Sequence, residues 1–176
     1  MKKIRLFLLA ILAVSVHFVA LSQESTTTVK YSNITEGGFF GSPKHFSCEL
    51  TTVNGIIINN QHQIGIGVGF GGPIDDGLSC PIFANYRYRF QTSTKYLKPH
   101  INVAVGALLL EENVGLYSTL GAGFKVGAFS LTSGLFFQMY ESTETVWVYD
   151  GGHSYPTTAT TPQHLFGVMI RIGVNF

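Results

Sequence analysis

The chain has 176 residues and a formal charge of +1, and its 12% of charged residues is roughly half the share usual for a soluble domain. No basic patch or charge excess points to nucleic acid, and no cofactor motif appears. Glycine is abundant at 20 residues, and past the N-terminal region no apolar run is long enough to cross a bilayer as a helix.

Residues 1–22 read as a secretory signal peptide. Lys2, Lys3 and Arg5 precede an apolar run from Leu6 to Leu21, and Ala20-Leu21-Ser22 supplies small residues at a cleavage site. The run is shorter than the roughly 20 residues of a spanning helix, which argues against an N-terminal anchor. No Cys stands at the junction, which argues against a lipid-anchored lipoprotein. Residues 23–176 then form one domain, slightly acidic once the leader's three cations are removed.

A first strand is expected from Tyr31 to Ser42, blurred by Gly37, Gly38 and Gly41, before a turn at Ser42-Pro43-Lys44. Strand two, His45 to Ile58, alternates Phe46, Cys48 and Leu50 with Ser47, Glu49 and Thr51. Its parity slips near Asn54-Gly55, which predicts a bulge. Asn59-Asn60-Gln61 is a tight connection. Strand three sets Ile64, Ile66, Val68 and Phe70 against Gly65, Gly67 and Gly69, and a loop from Gly71 to Ser79 follows. Strand four sets Ile82, Ala84, Tyr86, Tyr88 and Phe90 against Phe83, Asn85, Arg87, Arg89 and Gln91. The arginines mark the non-lipid face, because on the lipid face each would cost roughly 2–4 kcal/mol near the midplane.

Beyond a polar turn at Thr92 to Lys95, strand five places Ile101, Val103, Val105, Ala107 and Leu109 outward. After Glu111-Glu112-Asn113, strand six places Leu116, Leu120, Ala122, Phe124 and Val126 outward and Gly121, Gly123 and Lys125 inward. A turn near Gly127-Ala128 leads to strand seven, with Phe129, Leu131, Leu135, Phe137 and Met139 against Ser130, Thr132, Gly134 and Gln138. Glu141 to Gln163, rich in Thr, Ser, Gly and Pro, reads as the longest loop. Strand eight, His164 to Phe176, has the clearest pattern. Phe166, Val168, Ile170, Ile172, Val174 and Phe176 share one face against Leu165, Gly167, Met169, Arg171, Gly173 and Asn175.

Eight strands with hairpin-length connections predict an eight-stranded antiparallel up-and-down transmembrane β-barrel, closed because an open edge in lipid strands its backbone groups. Asp75, Asp76, Glu111, Glu112, Glu141, Glu144 and Asp150 fall in or beside the loops after strands three, five and seven, which assigns that rim to the cell exterior. Cys48 and Cys80 lie on second-neighbour strands with lipid-facing parity, so they are expected unpaired.

The terminal alternation ending on an aromatic residue resembles the C-terminal assembly signal of bacterial outer-membrane barrels, carried here by Ile170, Ile172, Val174 and Phe176. With the loop asymmetry, the chain resembles small outer-membrane β-barrel proteins of the OmpA/OmpX-like porin-superfamily type. Phe46–Gly55, Asn85-Tyr86-Arg87-Tyr88-Arg89-Phe90 and Gly121-Ala122-Gly123-Phe124 look like barrels common in the Bacteroidetes. The resemblance implies the bacterial outer membrane as location, with its lipid and lipopolysaccharide as surroundings and the barrel assembly machinery as a partner during insertion. It names no substrate. The wall-binding domain of full-length OmpA-type proteins is not expected after Phe176.

An eight-stranded barrel has an interior that side chains can fill. The inward polar set is Glu49, Asn85, Arg87, Arg89, Gln91, Lys125, Gln138, Arg171 and Asn175. Glu49, Arg87, Arg89, Lys125 and Arg171 form either a structural charge network, with Glu49 the main counter-charge, or the lining of a narrow pore or ligand cavity. His45, Ser47 and Glu49 share a strand face, the residue types of the lipid A deacylases, but the alternation points them away from lipid. His62, His100, His153 and His164 show no metal-ligand spacing. Tyr86, Tyr88, Tyr96, Tyr117, Tyr140, Trp147, Tyr149 and Tyr155 suit interfacial girdles, and the last three suit extracellular loop contacts as the alternative. The leading expectation is a non-enzymatic structural or surface-interaction barrel. A small-solute channel comes second and a lipid A-modifying enzyme third.

Overall fold

The structure, a computed structural model, describes residues 27–43, 45–73, 78–92, 96–110, 113–150 and 153–176. The expected signal peptide and the acids Asp75, Asp76, Glu111 and Glu112 lie outside the described residues.

Eight strands follow one another: β1 (Val29–Gly41), β2 (Phe46–Ile58), β3 (His62–Pro73), β4 (Cys80–Arg89), β5 (Leu97–Leu109), β6 (Val114–Val126), β7 (Phe129–Asp150) and β8 (His153–Asn175). Each pairs antiparallel with the next, and β8 returns to β1 from Ile34↔Asn175 to Gly41↔Val168, so the barrel closes. Backbone bonds between Asn33 and Phe176 continue that seam. Closure removes the free edges that a lipid-facing sheet could not satisfy.

The two ends differ. At the end here called the base, the turns after β2 and β6 are tight. Asn59 and Asn60 carry positive φ (52° and 58°) and Gln61 N donates to Ile58 O at 3.0 Å, while Gly127 carries φ 59° at the second turn. The opposite end is the rim. There β1 and β2 meet in a short link in which Ser42 N donates to His45 O at 2.9 Å.

Alternation sorts side chains between two environments. Ile66, Val103, Val105, Leu120, Ile170 and Ile172 stand exposed on the outer wall, while Ile34, Val53, Phe83, Ala104 and Leu108 are buried inside. Tyr31, Tyr86, Tyr88 and His62 cluster outside toward the base, with His62 Nδ1 2.9 Å from the Tyr86 hydroxyl. Cys48 and Cys80 are free and exposed on the outer wall.

Two expectations about the strands fail. Strand β2 contains no bulge: its pairing with β1 and β3 runs unbroken through Asn54 and Gly55. The apparent slip arises because the lumen accepts apolar residues there, so Val53 and Ile57 point inward while Asn54 stands outside and accepts from Tyr31 Oη at 2.6 Å and Asn33 Nδ2 at 2.7 Å. Residues 141–163 are no open loop. Strands β7 and β8 continue past the wall as a paired two-stranded ribbon, from Glu141↔Pro162 to Asp150↔His153. The neighbouring ladders end at or below its foot, β6 pairing with β7 up to Met139 and β1 with β8 up to Val168, and Asn113 Nδ2 donates to Glu141 O at 3.0 Å where the ribbon begins. At about 3.4 Å per residue the ribbon extends roughly 30 Å along its strands.

Candidate functional site

The polar side chains inside the barrel concentrate toward the base, beside Ile34 and Ile57, and aromatic rings gather toward the rim. Near the rim two clusters fill the lumen: Phe40, Phe136, Leu165 and Met169 on one side, and Val53, Phe83, Ala104, Leu108 and Tyr117 on the other, with Tyr140 against both. Phe40 meets Phe136 edge-on at 5.2 Å, and Phe83 stacks on Tyr117 at 5.1 Å. Room for these rings comes from β3, whose lumen-facing positions include Gly65, Gly67, Gly69 and Gly71; a Cβ on Gly67 would lie 2.3 Å from the Phe83 ring.

Below the rings lie two separate ion pairs. Arg87 Nη2 donates to Glu36 Oε1 at 2.6 Å, with both side chains 2% exposed. Arg171 Nη2 donates to Glu49 Oε1 at 3.1 Å and to the Tyr117 hydroxyl, while Tyr117 itself donates to Glu49 Oε1 at 2.7 Å. The Arg171 guanidinium also lies 5.2 Å from the Phe40 ring centroid, within cation–π range. A buried charge is tolerable only when paired and hydrogen-bonded, and each pair spans strands far apart in sequence, so the two fix the cross-section of the barrel.

Toward the base the contacts turn neutral. Arg89 Nη2 donates to Gln63 Oε1 at 2.7 Å and to Asn175 Oδ1 at 3.2 Å, and Gln63 passes a bond to Ser32 at 2.9 Å. Asn102 donates to Asn85 at 3.2 Å, and His100 Nε2 lies 2.9 Å from Thr132 Oγ1. Arg87 Nε, Arg171 Nε, Asn85 Nδ2, Asn102 Oδ1 and Thr119 Oγ1 are buried without a hydrogen-bond partner among the described residues.

Glu49, Arg87, Arg89, Lys125 and Arg171 all occupy lumen-facing positions, but they do not form one cluster. Glu49 serves Arg171 alone among them. Arg87 takes Glu36, which is absent from the inward set expected of the sequence, so Glu49 is not the main counter-charge. Lys125 is half-buried near the base, outside both pairs. The alternation Ser32, Ile34, Glu36, Gly38, Phe40 carried the missing signal, but the glycines of β1 obscured it. Tyr117 and Tyr140 belong to the lumen and not to a girdle, because Tyr117 supplies the hydroxyl that joins the Glu49–Arg171 pair.

The Glu49 carboxylate is committed across the barrel to Arg171 and Tyr117, away from His45 and Ser47 on its own strand. Trp147 and Tyr149 stand 67% and 79% exposed on the ribbon, and Tyr155 is the register partner of Val148. Ile170, Ile172, Val174 and Phe176 lie on the outward parity of β8 beside β1. Among the described residues no group of three or more His, Cys, Asp or Glu side chains is placed to hold a metal.

No protein-family model matches the chain, and no curated protein matches it. Among solved structures, the crystal structure of Neisserial surface protein A is similar to 86% of this chain and 100% of its own, at 11% sequence identity and a TM-score of 0.38. A likeness at that level says nothing about what this chain does.

Proposed function

We propose that this chain is a bacterial outer-membrane barrel of structural or surface-interaction type, with a lumen plugged by its own side chains. The observation that carries the reading is the contrast between the two faces of the wall. Large apolar side chains stand exposed on the outside of strand after strand, whereas a monomeric soluble protein rarely exposes apolar patches beyond a few hundred Å². Two ion pairs and two ring clusters occupy the inside. The base, with its tight turns, faces the periplasm and the rim faces the exterior. The ribbon then carries Trp147 and Tyr149 beyond the lipid, where an aromatic pair suits contact with a surface partner.

Lipid and lipopolysaccharide surround the wall in this reading, and the outward row Ile170, Ile172, Val174 and Phe176 is offered to the assembly machinery. The reading is non-enzymatic, and the hold of Arg171 and Tyr117 on Glu49 supports it against catalysis by His45, Ser47 and Glu49. A narrow solute channel is the second reading, favoured by the five buried polar atoms without partners, which water in the lumen would satisfy. Planar-bilayer recording of the refolded protein separates the two. The plug gives no ohmic current, and a steady anion-selective current would replace it with the channel.

A further inference from the structure

The base of the barrel carries positive charge that the ion pairs do not use. Lys98 and Lys125 are direct register partners on β5 and β6, both on the lumen-facing parity of their strands. Like charges set directly opposite destabilise a ladder. Arg89 pairs in register with His100, the next lumen-facing residue after Lys98, and its guanidinium meets the neutral oxygens of Gln63 and Asn175. Asn175 Nδ2 donates on to Ser130 Oγ at 3.3 Å, and Ser130 is the register partner of Lys125. Arg89, Asn175, Ser130, Lys125 and Lys98 therefore follow one another around the mouth.

No acid among the described side chains offsets these cations. Glu36 and Glu49 are held by Arg87 and Arg171, and Glu141 lies at the far end of the wall. Lys98 is exposed and Lys125 half-buried, while Arg89 and Ser130 are buried at 9% and 3%, so the arc opens to solvent at its lysines. A concave mouth lined by one sign of charge gathers counter-ions.

We propose that this mouth binds a phosphate group, held by Lys98, Lys125 and Arg89 with Ser130 and Asn175 as neutral hydrogen-bond partners. Phosphate fits better than carboxylate because it brings up to two charges and more than two acceptor oxygens to a cluster of three cations. The group arrives either as a free anion or on a lipid headgroup at the neighbouring membrane surface.

The test uses the full chain refolded in uncharged maltoside micelles, with thermal unfolding followed by circular dichroism at constant ionic strength. Replacing chloride by inorganic phosphate is expected to raise Tm saturably. Lys98→Gln/Lys125→Gln is expected to weaken that response at least tenfold and to unfold above the parent in chloride alone, since the repulsion is gone. Glu141→Gln at the opposite end keeps the parent response. If the headgroup is the source, phosphatidic acid in the micelle raises Tm without free phosphate; if the free anion is, inorganic phosphate acts and the lipid does not. Should the double variant not refold, phosphorus NMR line broadening reads the binding directly, and it should be strong with the parent and weak with Lys125→Gln alone. The proposal fails if parent and lysine variants respond alike, or if phosphate matches chloride while phosphatidic acid matches phosphatidylcholine.

Discussion

Replacing Glu36 by Gln removes the counter-charge of Arg87 with almost no change of shape. The pair is joined at 2.6 Å, both side chains are 2% exposed, and Arg87 Nε already lacks a partner among the described residues. Breaking one side of a buried ion pair costs about 3–5 kcal/mol, and water entering from the polar base favours the lower end of that range. Glu49→Gln is expected to cost less, about 1–3 kcal/mol, because Arg171 keeps the Tyr117 hydroxyl and the Phe40 ring. Urea unfolding of the refolded barrel, read by circular dichroism, measures both. Fluorescence is a poor substitute, since Trp147, the single tryptophan, sits on the ribbon. Glu36→Gln/Arg87→Met should recover most of the loss, because it leaves no unpaired charge. A Glu36→Gln cost within about 0.5 kcal/mol of zero, the range of ordinary surface changes, would refute the argument, as would a larger cost for Glu49→Gln.

Unboiled samples are expected to migrate differently from boiled ones on gels, since a closed barrel keeps its backbone bonds in detergent; equal mobility of a fully refolded sample counts against closure. Ile66→Arg and Val103→Arg, both on the exposed outer wall, should each impair insertion into vesicles by roughly 2–4 kcal/mol at mid-depth. Normal insertion of both would mean that the outer wall does not meet lipid. Gly67→Ala should cost about 1–3 kcal/mol in urea unfolding because its Cβ would meet the Phe83 ring, and Phe83→Leu should relieve much of that cost. Shortening the ribbon by joining Glu141 to Pro162 through a tight turn should leave the gel shift intact while removing Trp147 and Tyr149; loss of the shift would show that the wall depends on the ribbon.

The wall was legible in the sequence wherever the outer face imposed one strict demand. Ile64, Ile66, Val68 and Phe70, or Phe166 through Phe176, have no polar option outside, so period two survives intact. The lumen imposes a looser demand, since it takes Val53, Phe83 and Leu108 as readily as Arg87. An inward apolar residue therefore imitates a parity slip, which produced the expected bulge in β2. In β1, Gly37 and Gly41 stand where outer apolar side chains would have marked the face, and Glu36 stayed hidden with them. The ion pairs were beyond sequence because they join residues as distant as Glu49 and Arg171, whose meeting depends on closure and shear. The ribbon had a local signal that its polarity masked. Val146, Trp147, Val148 and Tyr149 favour extended backbone, as do the threonines of residues 157–161.

The way the ribbon is joined to the wall sets how the molecule can diverge. Only β7 and β8 enter it, and their pairing with β6 and β1 ends at Met139 and Val168. Residue pairs added to or removed from its tip leave every wall register unchanged, so the rim end is free to lengthen, shorten or change its surface at a pace set by whatever it meets. The strands below are held by closure, where one substituted residue faces neighbours on two sides. A lineage of such barrels should therefore show two clocks in one chain: a fast one beyond residue 140 and before 163, and a slow one through the rest.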